Sequence, residues 1–196
     1  MKKLSRVSVL GLSLLLGACS ILPSAPKVDT YQLAPSNVSV QVRGLPLSLM
    51  VATPYANRYL SHQRLVVVQA NHEVQAYAGV RWEDELPNVF RNRLIDDLRR
   101  AQAYRTVVND KETVKTDRRL TTDILAYQVQ MTEQQAMAVI SVDANLFDNK
   151  NASVIASKRF SVNSSLDSTQ LSDVMPTLGR LNDQINTQII QWAVAQ

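Results

Sequence analysis

Apolar residues recur every four positions from Trp82 onward: Trp82, Leu86, Phe90, Leu94 and Leu98 form one stripe, with Val89 and Ile95 beside it. That period predicts an amphipathic helix. Glu83, Asp84 and Glu85 at its start and Arg99 and Arg100 at its end match the sign of the helix macrodipole. Pro87 then falls in the first turn, where a missing N–H costs little. A second stripe closes the chain, with Leu171, Val174, Leu178, Leu181, Ile185, Ile189 and Trp192 spaced at three and four. Asp167 and Ser168 are candidate caps for it, and Pro176 marks either a later start or a kink.

Between the stripes the period falls to two. Leu125, Tyr127, Val129 and Met131 alternate with polar residues, as do Ala138 to Leu146 and then Val154 to Val162. Gln134-Gln135 and Asp148-Asn149-Lys150-Asn151 separate these runs, which predicts an antiparallel meander covered on one side. Upstream, Tyr31-Gln32-Leu33, Pro46 to Val51 and Tyr104 to Val108 read as short strands. Arg64 to Gln69 and Glu73 to Tyr77 read as a hairpin turning at Asn71-His72. Residues 109–119 mix charges of both signs and predict a solvated loop. The pattern as a whole predicts an α+β fold, a mainly antiparallel sheet with two long amphipathic helices packed on one face.

The first residues follow a different pattern. Lys2, Lys3 and Arg6 precede an apolar run from Val7 to Leu16, and Gly17 and Ala18 lead into Cys19, the chain's one cysteine. This is the layout of an export signal. The run is too short to cross a bilayer as a helix, which takes about 20 apolar residues. Leu16-Gly17-Ala18-Cys19 resembles the bacterial lipobox, which implies that the Cys19 sulfur is lipidated, that the signal is cut off and that the new amino terminus is acylated. Acyl chains acting together hold a protein stably on a membrane. Ser20, where inner-membrane lipoproteins carry Asp, resembles the default signal for transfer to the outer membrane. The expected division is a lipoprotein signal peptide at 1–18, a lipidated tether at 19–28 and a single periplasmic α+β domain at 29–196.

Charge and chemistry then narrow the function. The whole chain is formally +4, from 21 basic and 17 acidic residues. Removing Lys2, Lys3 and Arg6 with the signal leaves 18 against 17, or +1, which gives no electrostatic basis for binding nucleic acid. Gly44, Gly79 and Gly179 lie too far apart to form a phosphate-cradling loop. His62 and His72 lack a third ligand at a recognisable spacing and are expected at the surface. Asp96 and Asp97 are neighbours on a helix, point in different directions, and are expected to be solvated. Trp82 and Trp192 belong to apolar stripes and are expected in the core. Tyr55 and Tyr59 are read either as exposed interface anchors or as aromatics buried under a loop. No cofactor, metal site or catalytic constellation emerges, and the expectation is a protein that is not an enzyme.

The order of features carries a resemblance. A lipobox, the Tyr31-Gln32-Leu33 strand, an apolar strand before Pro54-Tyr55 with Tyr59-Leu60 following, a strand pair from Leu65 to Tyr77, Trp82 opening a helix, a three-strand meander and a C-terminal helix together resemble the ABC-type transport auxiliary lipoproteins. This family includes the lipoprotein of the paraquat-inducible intermembrane transport operon. The resemblance implies an outer-membrane lipoprotein on the periplasmic face, docking an MCE-domain protein of an ABC-type or permease transport system. Phospholipid is the candidate cargo and a homo-oligomer a candidate state. The alternative is an envelope-assembly or secretion-pilot lipoprotein that transports no lipid.

Overall fold

The structure, a computed structural model, describes residues 27–196. The signal peptide, Cys19 and most of the tether lie outside the described residues. In chain order the elements are β1 (Asp29–Tyr31), β2 (Leu45–Val51), β3 (Tyr55–Ala56), β4 (Arg64–Val68), β5 (Val74–Trp82), α1 (Leu86–Arg100), β6 (Tyr104–Asn109), β7 (Arg118–Met131), β8 (Ala136–Asp148), β9 (Ser153–Ser165) and α2 (Leu171–Val194).

β7 is the spine. Along one edge it pairs with β8 for almost its whole length, and β8 pairs with β9, which gives the expected antiparallel meander. Along its other edge the sheet forks. β2 pairs with Arg118 to Leu120, β3 with Asp123 and Ile124, and β4 with Gln128 to Gln130, all three parallel to β7. β6 extends the first wing beside β2, and β5 then β1 extend the other beside β4.

The sheet is therefore mixed, and the expectation of a mainly antiparallel one is corrected. Antiparallel order holds for β4–β5, β7–β8 and β8–β9, the pairs of strands that follow one another in the chain. The β1–β5, β2–β6, β2–β7, β3–β7 and β4–β7 pairs are all parallel. Parallel neighbours need crossovers, and side-chain alternation within a strand carries no record of strand direction.

Both helices pack on one face of the sheet over a single core. Leu86, Phe90, Leu94 and Leu98 of α1 and Val174, Leu178, Ile185 and Ile189 of α2 are buried against Ala138, Ile140, Val142 and Leu146 of β8 and Leu120, Tyr127 and Val129 of β7. At β9 Phe160 meets Trp192 edge to face, with centroids 5.7 Å apart. Arg99 and Arg100 close α1 as expected, and Pro87 sits in its first turn. α1 nevertheless begins at Leu86, and Trp82 is the last residue of β5. Its ring is buried and meets Tyr127 edge to face at 5.9 Å. Trp82 continues the α1 stripe because strand end and helix face the same core. The helix α2 starts at Leu171 and runs through Pro176; Ser168 receives the Gln170 amide at 3.1 Å and donates to Asp173.

The segment 32–44, whose first two residues are read above as part of a strand, is strapped across the helices. Arg93 donates to the Ala34 carbonyl at 2.6 Å, Arg100 to the Ser36 carbonyl at 2.9 Å, and the Asn37 amide donates to Asp183 at 3.0 Å. Val38 is buried beneath the strap.

Candidate functional site

The opposite face of the sheet has no helix upon it among the described residues. On the meander this face is polar. Arg159 of β9 grips Asp143 of β8 through two hydrogen bonds of 2.7 Å, which hold the Asp143 carboxyl below its ordinary range. Ser157 donates to Asn145 at 2.6 Å one rung away. These cross-strand pairs tie polar residues of β8 and β9 to one another.

At the fork this face carries two exposed apolar side chains, Tyr55 and Leu125. A register shift between Ile124 and Ala126 reverses the alternation of β7. Before it the buried positions are Leu120, Thr122 and Ile124, and after it Tyr127 and Val129. Leu125 falls at the irregularity and is turned outward, 41% exposed, although its spacing from Tyr127 predicts the core face. Beside it Tyr55 of β3, opposite Asp123 in the ladder, is 72% exposed.

Tyr59 is turned outward by its own loop. The Asn57 side chain accepts the Tyr59 and Leu60 amides at 3.0 and 3.1 Å, the Asn57 carbonyl accepts the Ser61 amide at 2.9 Å, and Leu60 plugs the core. An asparagine accepting its own downstream amides is a turn former, and burying Leu60 leaves Tyr59 58% exposed. Of the two readings left open for Tyr55 and Tyr59, exposure is the one observed. Tyr55, Tyr59, Val74 and Leu125 are four of the seven exposed large apolar residues among those described.

A groove of about 550 Å³ opens behind Tyr59, lined by Arg58, His62, Arg64, Val66, Val74 and Gln75. His62 and His72 are both exposed, but the fold does not bring them together: His62 lies before β4, and His72 is in the turn beyond its other end, with φ 67°. A second groove joins Val28, next to the start of the described residues, to His62, Arg64 and Arg81.

Between the helices lies a polar seam. Asp97 is fully buried, which corrects its reading as solvated, while Asp96 beside it is exposed. Asn186 donates to Asp97 at 2.8 Å and Arg93 stands 3.5 Å from the same oxygen. Arg93 also bridges to Asp183 at 2.7 Å, and the Tyr127 hydroxyl meets Asn182 at 3.3 Å, its pKa pushed up by burial. The seam lies on the helix side of the sheet; its buried core of Asp97, Asn182 and Asn186 is closed, while Arg93 and Asp183 reach grooves beside the 32–44 strap.

A family model described as ABC-type transport auxiliary lipoprotein component matches residues 31–190. The chain belongs to that family, a class of lipoproteins associated with ABC-type transport systems. Among solved structures it is similar to protein XCC0632 from Xanthomonas campestris, with a TM-score of 0.77 at 21% identity, covering 86% of this chain and 95% of that one. It is also similar to the hypothetical protein CT253 from Chlamydia trachomatis, with a TM-score of 0.55 at 12% identity, covering 79% of this chain and 100% of that one. At such identities the likeness is one of fold. No curated protein matches the chain.

Proposed function

We propose that this chain is a non-enzymatic adaptor, acylated at Cys19 and held on the periplasmic face of the outer membrane, which docks an MCE-domain protein of an intermembrane lipid transport system through its helix-free sheet face. The observation that carries this reading is the apolar centre formed by outward-facing Tyr55 and Leu125 beside the ordered polar meander. Aromatic anchors inside a polar surround are the usual anatomy of a protein–protein interface. Lipobox, export signal and Ser20 supply the anchor and its address, and family membership supplies the association with transport. The domain acts by position, with no covalent step.

The test is a photo-crosslinking residue at position 55 or 125 in the full chain, with crosslinked products from the outer-membrane fraction identified by mass spectrometry. Crosslinks to an MCE-domain protein are expected. Crosslinks solely to a secretin or barrel-assembly protein would overturn the docking reading in favour of a pilot or assembly role.

A further inference from the structure

The groove behind Tyr59 combines two guanidinium groups, from Arg58 and Arg64, with an apolar floor of Val66 and Val74, and no carboxylate lines it. Neither guanidinium has an ion-pair or hydrogen-bond partner among the described residues, whereas most other arginines here are paired. The strand register sharpens this. Arg64 of β4 stands directly opposite Arg81 of β5, a like-charge pair that opposes strand pairing unless an anion lies between or beside the two. Arg81 is turned aside to donate to Thr30 at 3.0 Å, which leaves Arg64 facing the groove. Asp84 and Glu85 line the adjoining groove together with Val28, Arg64 and Arg81, and neither forms an ion pair with these arginines among the described residues.

The position of the chain's start says which anion is near. β1 is the outermost strand of this wing, and Val28 just before it lines the groove shared with His62, Arg64 and Arg81. Seven residues lie between Cys19 and Lys27, eight chain steps with a covalent reach of about 28 Å at most when fully extended. Arg64 lines both this groove and the one behind Tyr59, which puts the unpaired arginines on the wing from which the chain runs to its anchor.

We propose that this groove seats the phosphodiester headgroup of an anionic phospholipid from the membrane that holds Cys19. Arg58 and Arg64 meet the phosphate oxygens, Tyr59 and His62 flank the headgroup, and Val66 and Val74 lie under the glycerol and first acyl carbons. Guanidinium groups suit this task because their planar donors match phosphate oxygens in pairs. Headgroup capture at the tethered edge leaves the meander and Tyr55 turned toward a partner. This inference rests on the acylation of Cys19 proposed above.

Short-chain dihexanoyl phosphatidylglycerol, dihexanoyl phosphatidylcholine and inorganic phosphate are titrated by calorimetry into the full processed lipoprotein in zwitterionic detergent. Phosphatidylglycerol is expected to bind best, and Arg58→Gln with Arg64→Gln to weaken it about tenfold, the effect of losing a charge-assisted contact. Val74→Asp, on the apolar floor, is a second variant expected to weaken it likewise, and thermal unfolding checks that both variants fold. Equal binding of inorganic phosphate would show a free-phosphate site, and equal binding of phosphatidylcholine or unchanged binding by both variants would show no headgroup site; each overturns the proposal. Intact mass is read on the same sample. A free thiol at Cys19 sinks the anchoring reading whatever the titration gives, while an acylated protein that ignores phosphatidylglycerol sinks this inference alone.

Discussion

The Asn186 side chain of α2 donates a 2.8 Å hydrogen bond to the Asp97 carboxylate of α1, and both residues are buried completely. Arg93, one turn before Asp97, adds its charge at 3.5 Å and reaches Asp183 on the other helix at 2.7 Å. The two helices are thus locked in register by a polar bridge within an apolar interface, where a displaced partner has no water to replace it.

Asp97→Ala is expected to destabilise the domain by about 2–4 kcal/mol, because the Asn186 amide loses its acceptor and Arg93 a buried counter-charge. Urea denaturation at neutral pH measures it. Asp96→Ala, one residue away and exposed, is expected to shift the midpoint by no more than about 0.5 kcal/mol equivalent. Equal effects would mean that the Asp97 bridge contributes nothing specific.

Trp82 sits where β5 ends and the apolar stripe that continues into α1 begins. Trp82→Ala removes a fully buried ring and its contact with Tyr127, and is expected to cost about 3–5 kcal/mol, which chemical denaturation reports. Trp82→Phe keeps much of the packing and removes an indole nitrogen that has no partner, so its loss is expected to be markedly smaller.

Much of this fold is legible along the chain. The β7–β8–β9 meander is written in consecutive alternating runs with turn residues between them, and helix periodicity carries through α1 and α2. Other features depend on distant neighbours. The parallel placing of β2, β3 and β4 beside β7 is settled by crossovers, and no local pattern records it. Leu125 shows the same limit at one residue: its spacing says core, and a bulge against β8 turns it outward. Asp97 reads as solvated because carboxylates usually are, and its burial is made tolerable by Arg93 one turn away together with Asn186, 89 residues along the chain. Spacing alone leaves Tyr59 undecided between core and surface, although Asn57 two residues earlier is a turn signal that favours exposure.

Two glycines are expected to resist substitution for different reasons. A Cβ at Gly44 would collide with the Gln102 carbonyl oxygen, which is backbone and cannot swing away. Gly79 instead holds φ +67°, with its nearest neighbour, the Lys27 carbonyl oxygen, at 3.4 Å. Gly79→Ala should cost about 1–2 kcal/mol for left-handed backbone, and Gly44→Ala more, about 2–3 kcal/mol, because the backbone itself must move. Thermal melts of the two variants give the order, and a milder Gly44→Ala would contradict the collision.

Acid should weaken the attachment between α1 and the residues after β2. Burial raises the Asp110 pKa, but hydrogen bonds from the Thr53 amide and hydroxyl, together with Arg91, outweigh it and hold the carboxyl below its ordinary range. A group whose pKa is lower in the folded state contributes stability above its unfolded pKa of about 3.9 and loses it as pH falls toward the folded value. Asp110→Asn is therefore expected to be less stable than the wild type at pH 7, with the difference closing below about pH 4. Denaturation midpoints at the two pH values measure it, and a gap that widens in acid would reverse the sign.

Exposure separates docking from folding at the fork of the sheet. Tyr55 and Leu125 project from β3 and β7 without plugging the core, so Tyr55→Ala with Leu125→Ser is expected to change unfolding free energy by no more than about 1 kcal/mol. The same pair forms the apolar centre of the proposed interface, where loss of an aromatic anchor commonly costs about 2 kcal/mol or more of binding, roughly thirtyfold in affinity. Crosslinking yield to the proposed MCE-domain partner, compared with the unaltered chain at equal abundance in the membrane fraction, should fall accordingly. A yield that survives both substitutions would move the docking surface off this corner, onto the meander around Asp143 and Arg159, whose charge pair would then be the next to remove.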